Sequence, residues 1–396
     1  MAATEAVPDR PSLPWRMASA AVMTLTGAIS RVFLYTLNDV QTEGQAEFLG
    51  LLDKRRAGHP DRGLITGIYN FLSTTLFRNP PLGQERDPLI IGNHMQFPII
   101  SACGLDDPLI WGVLPLRYNM IPENSRWSLG AHDICFKNRS LVAPLDRESC
   151  FFTSFFTLGQ VLPTYRLLHS PHGGLFQPTM TQAIRILSGP GSVYTRGATF
   201  KAGANENFKS PAFYGVNHNA WVHVFPEGCV HQHPQNALRY FKWGVSRLIL
   251  ESDPAPQLVP IFIDGFKNIM PEDREWPRFL PRIGAKIRVI YGNAIDVDEV
   301  FREPRSRWKR MVRKQEEVLG RSLNVGEVPE VLKDHPEAIQ LRMEVAKTVR
   351  AMVQNLRLKA GYSDDDPSYA LAKTWERDPK TKHFQSPVDD SLVRKE

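Results

Sequence analysis

The sequence has few cysteines and no apolar run long enough for a conventional membrane span. Its four cysteines are widely spaced and form no Cys-x-x-Cys pair, which argues against a disulfide framework and a structural zinc site. No stretch of roughly 18 or more apolar residues occurs, which argues against a helix that crosses a bilayer. A Gly-x-Ser-x-Gly elbow is also missing, so an elbow-type serine hydrolase is excluded.

A nucleotide-binding loop and a nucleic-acid surface are equally poorly supported. Gly189-Pro190-Gly191 is not followed by the rest of a glycine-rich phosphate loop. The net charge of +6 is modestly basic and favours anionic partners, either phospholipid surfaces or nucleic acid. The basic run Arg305 to Lys314 has the pattern of a solvated or lipid-facing helix face, so we expect no nucleic-acid partner.

What the sequence does have is a composition typical of globular proteins and a pattern of alternating strands and helices. Hydrophobic residues make up 42% of the 396 positions and charged residues 23%, enough apolar material for a sizeable core. Residues 86–292 alternate between short apolar runs and helical periodicities, which predicts an α/β fold with a mixed sheet flanked by helices. The predicted strands are Leu89–Asn93, Trp221–Phe225, Leu258–Ile263 and Lys286–Tyr291, and the predicted helices are Phe176–Ser188 and Arg239–Leu250.

The chain divides by composition into four regions. Residues 1–40 form an N-terminal membrane-associated segment, and residues 41–300 the main domain, with insertions near 95–105, 139–153 and 189–219. Residues 301–361 form a C-terminal helical region, in which Asp334 and Glu337 resemble a capping box. Residues 362–396 have few apolar anchors and are predicted to be a mobile tail.

The N-terminal segment is the predicted point of membrane contact. Met17 to Ser30 is apolar but short and interrupted by Ser and Thr, so we expect residues 17–37 to enter one leaflet without crossing it. Arg16 and Arg31 would then lie near the lipid phosphates. The alternative is a buried packing helix. Glu5, Asp9 and the lack of an Arg-rich pattern argue against a cleaved targeting peptide, so any organelle address is internal.

Four short segments hold the residues with chemical potential. They are Asn93-His94 with Asp106-Asp107-Pro108, Gly159–Arg166, Val222–Gly228 and Leu258–Phe262. Together they suit acyl transfer to an alcohol, because imidazole is a general base near neutral pH and a carboxylate orients it. Arg166 and the backbone N–H groups around Gly228 offer donors to an anionic head group.

These segments, in this order, resemble the blocks of the glycerolphosphate acyltransferase superfamily, Asn-His-x-x-x-x-Asp and Phe-Pro-Glu-Gly. Five longer segments are similar to those of the fungal branch of the tafazzin family. They are Asp106–Pro115, Arg126–Asn138, Phe155–Arg166, Trp221–Gly228 and Arg239–Glu251.

The resemblance implies a phospholipid–lysophospholipid transacylase that remodels cardiolipin and monolysocardiolipin and needs neither acyl-CoA nor metal. It implies a peripheral or one-leaflet protein on the mitochondrial outer and inner membranes, facing the intermembrane space. The residues carried over are His94 as base, Asp106 as its partner, and, on the head-group side, Arg166, Phe225, Pro226, Glu227 and Gly228.

One feature departs from the family pattern and leaves two alternatives open. His94 and Asp106 stand twelve positions apart, whereas the family block places them five apart. A non-catalytic membrane-binding protein with an acyltransferase fold is therefore the second hypothesis. A metal site at Cys229, His231 and His233 is a weaker alternative, because no second ligand cluster is apparent in the sequence.

Overall fold

The computed structural model describes residues 11–57, 63–69, 106–122, 125–136, 147–166, 173–188, 199–201, 207–209, 221–228, 232–271 and 280–376. The predicted strand Leu89–Asn93 and His94 lie outside the described residues, as do most of the three predicted insertions. Within the insertion near 189–219, the structure describes only two short antiparallel strands.

Helices and strands follow one another along the described part of the chain. The helices are α1 (Leu13–Leu37), α2 (Gln45–Arg56), α3 (Asp106–Val113), α4 (His132–Cys135), α5 (Arg147–Leu158), α6 (Pro178–Leu187), α7 (Gly244–Glu251), α8 (Phe266–Ile269), α9 (Val297–Val300), α10 (Arg302–Leu319), α11 (Glu330–Lys333), α12 (Pro336–Lys359) and α13 (Ala372–Glu376). The strands are β1 (Asp39–Glu43), β2 (Leu64–Tyr69), β3 (Arg126–Ala131), β4 (Val161–Thr164), β5 (Thr199–Lys201), β6 (Asn207–Lys209), β7 (Trp221–Val224), β8 (Gln257–Asp264), β9 (Lys286–Tyr291) and β10 (Ile295–Asp296).

A mixed eight-stranded sheet is the centre of the described fold. Its order is β1-β9-β8-β2-β7-β3-β4, with β10 paired to β8. The five strands from β8 to β4 are parallel, whereas β9 and β10 run antiparallel to β8. The predicted α/β fold with a mixed sheet between helices is confirmed.

Each face of the sheet is covered by its own layer of helices, because both faces are apolar. Successive strand residues point to opposite faces. Accordingly, Ile65, Val222 and Leu258 pack with α6, α7, α10 and α12 on one side. Their neighbours Leu64, Trp221 and Val259 pack with α1, α2 and α3 on the other. Continuous apolar runs such as β8 are typical of parallel strands buried on both faces.

Two helix boundaries differ from the sequence prediction, and in both cases a nearby contact explains the difference. The helix expected from Arg239 begins only at Gly244, because the preceding residues cover the turn after β7, where the Lys242 amide donates to the carbonyl of Pro226. The C-terminal helix α12 begins at Pro336, and its N-cap is His335, whose ring accepts from the Glu337 amide, rather than Asp334.

The C-terminal segment through Glu376 packs on the domain, although the sequence assigns it to a mobile tail. The side chain of Asp365 is only 3% exposed and is paired with Arg350 and Arg357 of α12. The ring of Trp375 is 4% exposed and its Nε1 donates to the carbonyl of Tyr369. The described residues 362–376 are therefore packed on the domain, and residues 377–396 are outside the described part.

Helix α1 lies along the domain and is longer than the apolar stretch seen in the sequence. Among the described residues it is the one helix that is long and apolar enough, by length and composition alone, to cross a membrane. Ser19 Oγ donates to the carbonyl of Leu158 near one end, and Leu34 is fully buried near the other. Arg31, expected beside lipid phosphates, instead donates through Nη1 to three carbonyls at the end of α3, those of Gly112, Val113 and Leu114.

Candidate active site

The predicted site residues in the described part of the chain gather at one edge of the sheet. Arg166 follows β4 by two residues, and Phe225 to Gly228 follow β7 directly. Both strands are parallel to β3 between them, so the two segments leave the sheet at its carboxyl edge. Ligands of open α/β sheets bind outside the carboxyl ends of the strands, and this edge is therefore the candidate active site.

Helix α3 brings Asp106 toward the same edge. In the last turn of α3, the carbonyl of Val113 accepts from Gln45 Nε2, which follows β1. Because β1 runs opposite to the five parallel strands, this end of α3 lies at their amino edge. In the first turn, Asp107 bonds to Ser128, which pairs with His223 of β7. Helix α3 thus runs antiparallel to the strands, and its first residue, Asp106, lies toward their carboxyl ends. His94 is outside the described residues, so the His94–Asp106 pair remains a prediction.

The turn after β7, Phe225 to Gly228, is closed by a hydrogen bond within its own backbone. Phe225 is partly buried and its ring meets that of His223 edge-on at 4.9 Å. Pro226 ends the strand, because proline has no N–H for a central ladder. The amide of Gly228 donates to the carbonyl of Phe225 at 2.9 Å, and the glycine φ of 61° lies in the left-handed region. Gly228 is exposed, in keeping with a backbone that a head group can approach.

Asp107 is the centre of a buried polar group that we call the α3 cluster, formed by Asp107, Trp111, Arg126 and Ser128. One carboxylate oxygen of Asp107 accepts from Trp111 Nε1 and Ser128 Oγ, each at 2.8 Å. The other accepts from Arg126 Nη2 at 2.6 Å. Arg126 stacks on the Trp111 ring and also donates to the carbonyl of Gly159. Burial lowers the pKa of Arg126, an effect that Asp107 opposes.

A row of polar side chains underlies this cluster. Thr66, His223 and Ser128 are paired across β2, β7 and β3 and point to the face that α3 covers. Thr66 Oγ1 and His223 Nδ1 are 2.7 Å apart. His223 is fully buried, and burial lowers the pKa of its imidazole to about 3, so the ring is neutral near pH 7. Its Nε2 has no hydrogen-bond partner among the described residues.

Glu227 faces away from solvent into a second group, the C-terminal cluster, formed by Glu227, Arg239, Arg350, Arg357 and Asp365. Its carboxylate is 5% exposed and accepts from the Arg239 amide at 2.9 Å. Burial raises the pKa of Glu227 from its ordinary value of 4.5 to about 7, against the attraction of Arg239 and Arg350. The position of Glu227 therefore favours holding the turn over direct contact with a substrate.

Sequence reasoning missed the residues that lie behind the site. The sequence motifs include Asp107 only as the second acid of a pair, and they assign no role to Arg126, His223 or Arg239. The i, i+4 spacing of Asp107 and Trp111 is a local signal that was available. Two of the three candidate ligands of the hypothesised metal site, Cys229 and His231, lie outside the described residues. His233 Nδ1 accepts from the amide of Gln235.

Comparison with known proteins identifies the class of protein to which this chain belongs. Tafazzin of Saccharomyces cerevisiae is 32% identical over 384 residues, covering 94% of this chain and 86% of the yeast protein. N-acylphosphatidylethanolamine synthase of Arabidopsis thaliana is 30% identical and covers 55% of this chain and 60% of its own. A solved structure, the 1-acyl-sn-glycerophosphate acyltransferase PlsC from Thermotoga maritima, covers 76% of this chain and 79% of its own at 14% identity. Its TM-score of 0.32 is too low to add to the sequence comparison. No protein-family model matches the sequence.

The protein is therefore an enzyme of the acyltransferase class, within the glycerolphosphate acyltransferase superfamily. The match to the yeast tafazzin extends over nearly the whole of both chains. The chain belongs to the tafazzin family.

Proposed function

We propose that this protein is a phospholipid–lysophospholipid transacylase that works without acyl-CoA and remodels the acyl chains of cardiolipin. His94 is the general base, Asp106 orients it, and Arg166 with the Phe225–Gly228 turn faces the lipid head group. The observation that carries the proposal is the convergence of Asp106, Arg166 and the turn on the carboxyl edge of one parallel sheet.

The reaction requires one proton to move from the acceptor hydroxyl to the general base and then from the base to the leaving group. His94 takes the proton of the free hydroxyl of a lysophospholipid, such as monolysocardiolipin, as the oxygen attacks the ester carbonyl of a donor phospholipid. The ester bond breaks, and the imidazolium returns the proton to the departing alkoxide of the donor. The acceptor gains the acyl chain and the donor leaves as a lysophospholipid. The Asp106 carboxylate stabilises the imidazolium formed between the two steps.

Label transfer between lipids tests this reaction. Purified protein is incubated, without CoA, with liposomes of a phospholipid that has a labelled acyl chain and monolysocardiolipin. We expect labelled cardiolipin to form, and His94→Ala to reduce its rate about a hundredfold or more. His335→Ala, at the N-cap of α12, is the matched control and should keep the rate. Normal transfer by the His94 variant would overturn the assignment, and no transfer by the wild-type protein would favour the non-catalytic alternative.

The long spacing between His94 and Asp106 gives a second test. Loop-closure entropy grows only logarithmically with length, so the extra residues do not prevent the two side chains from meeting. Misplacement by about 1 Å, however, can cost a hundredfold in rate. Deleting about seven residues between Met95 and Leu105, to restore the five-position spacing of the block, should therefore raise the rate of transfer. Equal rates for the two lengths would show that the loop is tolerated.

Membrane association through α1 completes the proposal. Its outward stripe consists of Met17, Leu25, Ile29 and Val32, each roughly half to two-thirds exposed, whereas its inward side is packed on the domain. A helix of about 37 Å that is attached along its length cannot cross a bilayer core of about 30 Å while the domain stays outside. We therefore propose that the helix lies in the plane of one leaflet. The proposed location, on the mitochondrial outer and inner membranes and facing the intermembrane space, is supported by the similarity to tafazzins.

Liposome flotation tests the outward stripe. The triple variant Leu25→Gln, Ile29→Gln and Val32→Gln should float poorly, because it removes apolar area from the interface without touching the packed side. A matched triple at exposed apolar positions of other helices, Val318→Gln, Leu319→Gln and Val331→Gln, should float normally. Equal flotation of the two triples would place the membrane contact elsewhere.

A further inference from the structure

The side chain of Asp107 makes two of its three hydrogen bonds outside its own helix. An aspartate in the first turn usually accepts from the free amides there. Asp107 accepts instead from Ser128 and Arg126 of β3 and from the indole of Trp111. Arg126 and Ser128 both belong to β3, so the carboxylate ties the helix start to that strand.

The apolar contacts of α3 fix the position of the helix less precisely than the hydrogen bonds of Asp107 do. Leu109, Ile110 and Val113 are buried and hold the helix against the sheet. Hydrophobic burial has no direction, so it tolerates small rotations and shifts of the helix. Hydrogen bonds between 2.6 and 2.8 Å restrict both, and a charge-assisted bond to a guanidinium is among the strongest of them.

The donors are themselves held in place. The Arg126 guanidinium is fixed by the Gly159 carbonyl at 3.0 Å and by the Trp111 ring 4.4 Å beneath it. Ser128 belongs to the polar row with His223 and Thr66, whose strands are at the centre of the sheet. The position of the first turn of α3 is thus set by hydrogen bonds to the sheet.

We propose that Asp107 is a positioning residue for acyl transfer: held by Arg126, Ser128 and Trp111, it fixes the first turn of α3 and, through it, the place of Asp106 at the carboxyl edge. This inference rests on the proposed function. Asp107 does not touch the substrate in this role, and it acts only through the position of its neighbour.

Steady-state transfer kinetics test the role. Asp107→Asn should lower kcat about a hundredfold, as expected for a shift near 1 Å, and leave KM unchanged. Ser128→Ala and Trp111→Phe each remove one donor and keep the ion pair, so each should lower kcat less, again at constant KM. An unchanged kcat in Asp107→Asn would overturn the proposal.

A charge-free double variant separates positioning from stability. Asp107→Asn leaves the Arg126 charge buried without its partner, which destabilises the protein. Asp107→Asn with Arg126→Met removes both charges and should recover thermal stability, whereas kcat stays low. Recovery of kcat together with stability would show that Asp107 is only a counterion and would overturn the proposal.

Hydrogen exchange gives a readout that does not depend on activity. The amides of Ile110 and Trp111 close the first turn of α3 onto the carbonyls of Asp106 and Asp107. In Asp107→Asn we expect faster exchange at these two amides and unchanged exchange in α12. If the wild-type protein transfers no label, the proposed function fails, but this exchange pattern still decides whether Asp107 fixes the turn. Unchanged exchange at both amides would overturn the positioning role.

Discussion

The α3 cluster and the C-terminal cluster both bury carboxylates against arginines, yet they connect different parts of the chain. Asp107 meets Arg126 and Ser128, about twenty residues away, and its carboxylate is 17% exposed. Asp365 meets the Leu238 amide, 127 residues away, and is 3% exposed between two arginines. The first cluster aligns a helix start with the site, and the second attaches the end of the chain to the turn after β7.

The difference teaches that buried charge can serve geometry or attachment, and that the two uses predict different losses. A cluster that sets geometry should affect the rate of transfer more than stability. A cluster that attaches a segment should affect stability more than rate. Variants of each cluster can therefore be read on two scales, the free energy of unfolding and kcat.

The largest effect on stability is expected from Asp365→Asn. The substitution keeps the shape of the side chain but leaves Arg350 and Arg357 buried without their carboxylate, which should cost about 3–5 kcal/mol. Urea unfolding measures the loss. Transfer per folded molecule should stay close to the wild-type rate, in contrast to Asp107→Asn. A large fall in kcat with little loss of stability would erase the distinction between the clusters.

Removing Trp375 should have the next largest effect. The indole is buried, lies 4.7 Å from the Arg239 guanidinium and donates to the Tyr369 carbonyl. Trp375→Ala should cost about 3 kcal/mol in urea unfolding, as expected for a buried aromatic side chain. Trp375→Phe keeps most of the apolar area and should lose clearly less. Equal losses would mean that the ring does not anchor the segment.

Glu227 should make stability depend on pH. Because burial raises its pKa from 4.5 to about 7, the folded protein holds the proton where the unfolded chain has released it. Stability is therefore full below about pH 4.5 and falls as pH rises toward 7, by at most ~1.4 kcal/mol per pH unit. Glu227→Gln should not show this fall. The measurement is the difference in urea midpoint between the two proteins at pH 5 and pH 8, and a constant difference would contradict the prediction.

The smallest effect is expected from Tyr362→Phe. The Asn236 amide donates to the Tyr362 hydroxyl at 2.6 Å and also to Asp264, so the variant removes one partner of a shared donor. A loss of about 1 kcal/mol is expected, with an unchanged rate of transfer. A loss as large as that of Trp375→Ala would show that this hydroxyl is a main attachment of the C-terminal segment.

Local patterns predicted three of the eight strands of the described sheet and those parts of the site that directly follow a strand. The strands β7, β8 and β9 are short apolar runs with clear ends, and Pro226 marks one of them. The long-range contacts were not visible in the sequence. Arg239 to Lys242 have helical spacing, but their amides bond to the turn after β7, so tertiary contacts override propensity. Asp365 lies in a polar stretch whose composition is that of a tail, and its burial follows from a contact that the sequence does not show, with the Leu238 amide 127 residues away.

The parallel pairing of β1 with β9 has a consequence for how the protein is made. Asn38, at the start of β1, bonds to Ala285, 247 residues later, so the N-terminal strand cannot pair until most of the chain has left the ribosome. At roughly 5–20 residues per second, that delay is on the order of ten seconds or more. During the first part of this delay α3 has not yet been made, so α1 has no helix to dock on and both of its apolar sides are exposed. Early capture of this helix by a chaperone or a lipid surface would protect the nascent chain from aggregation.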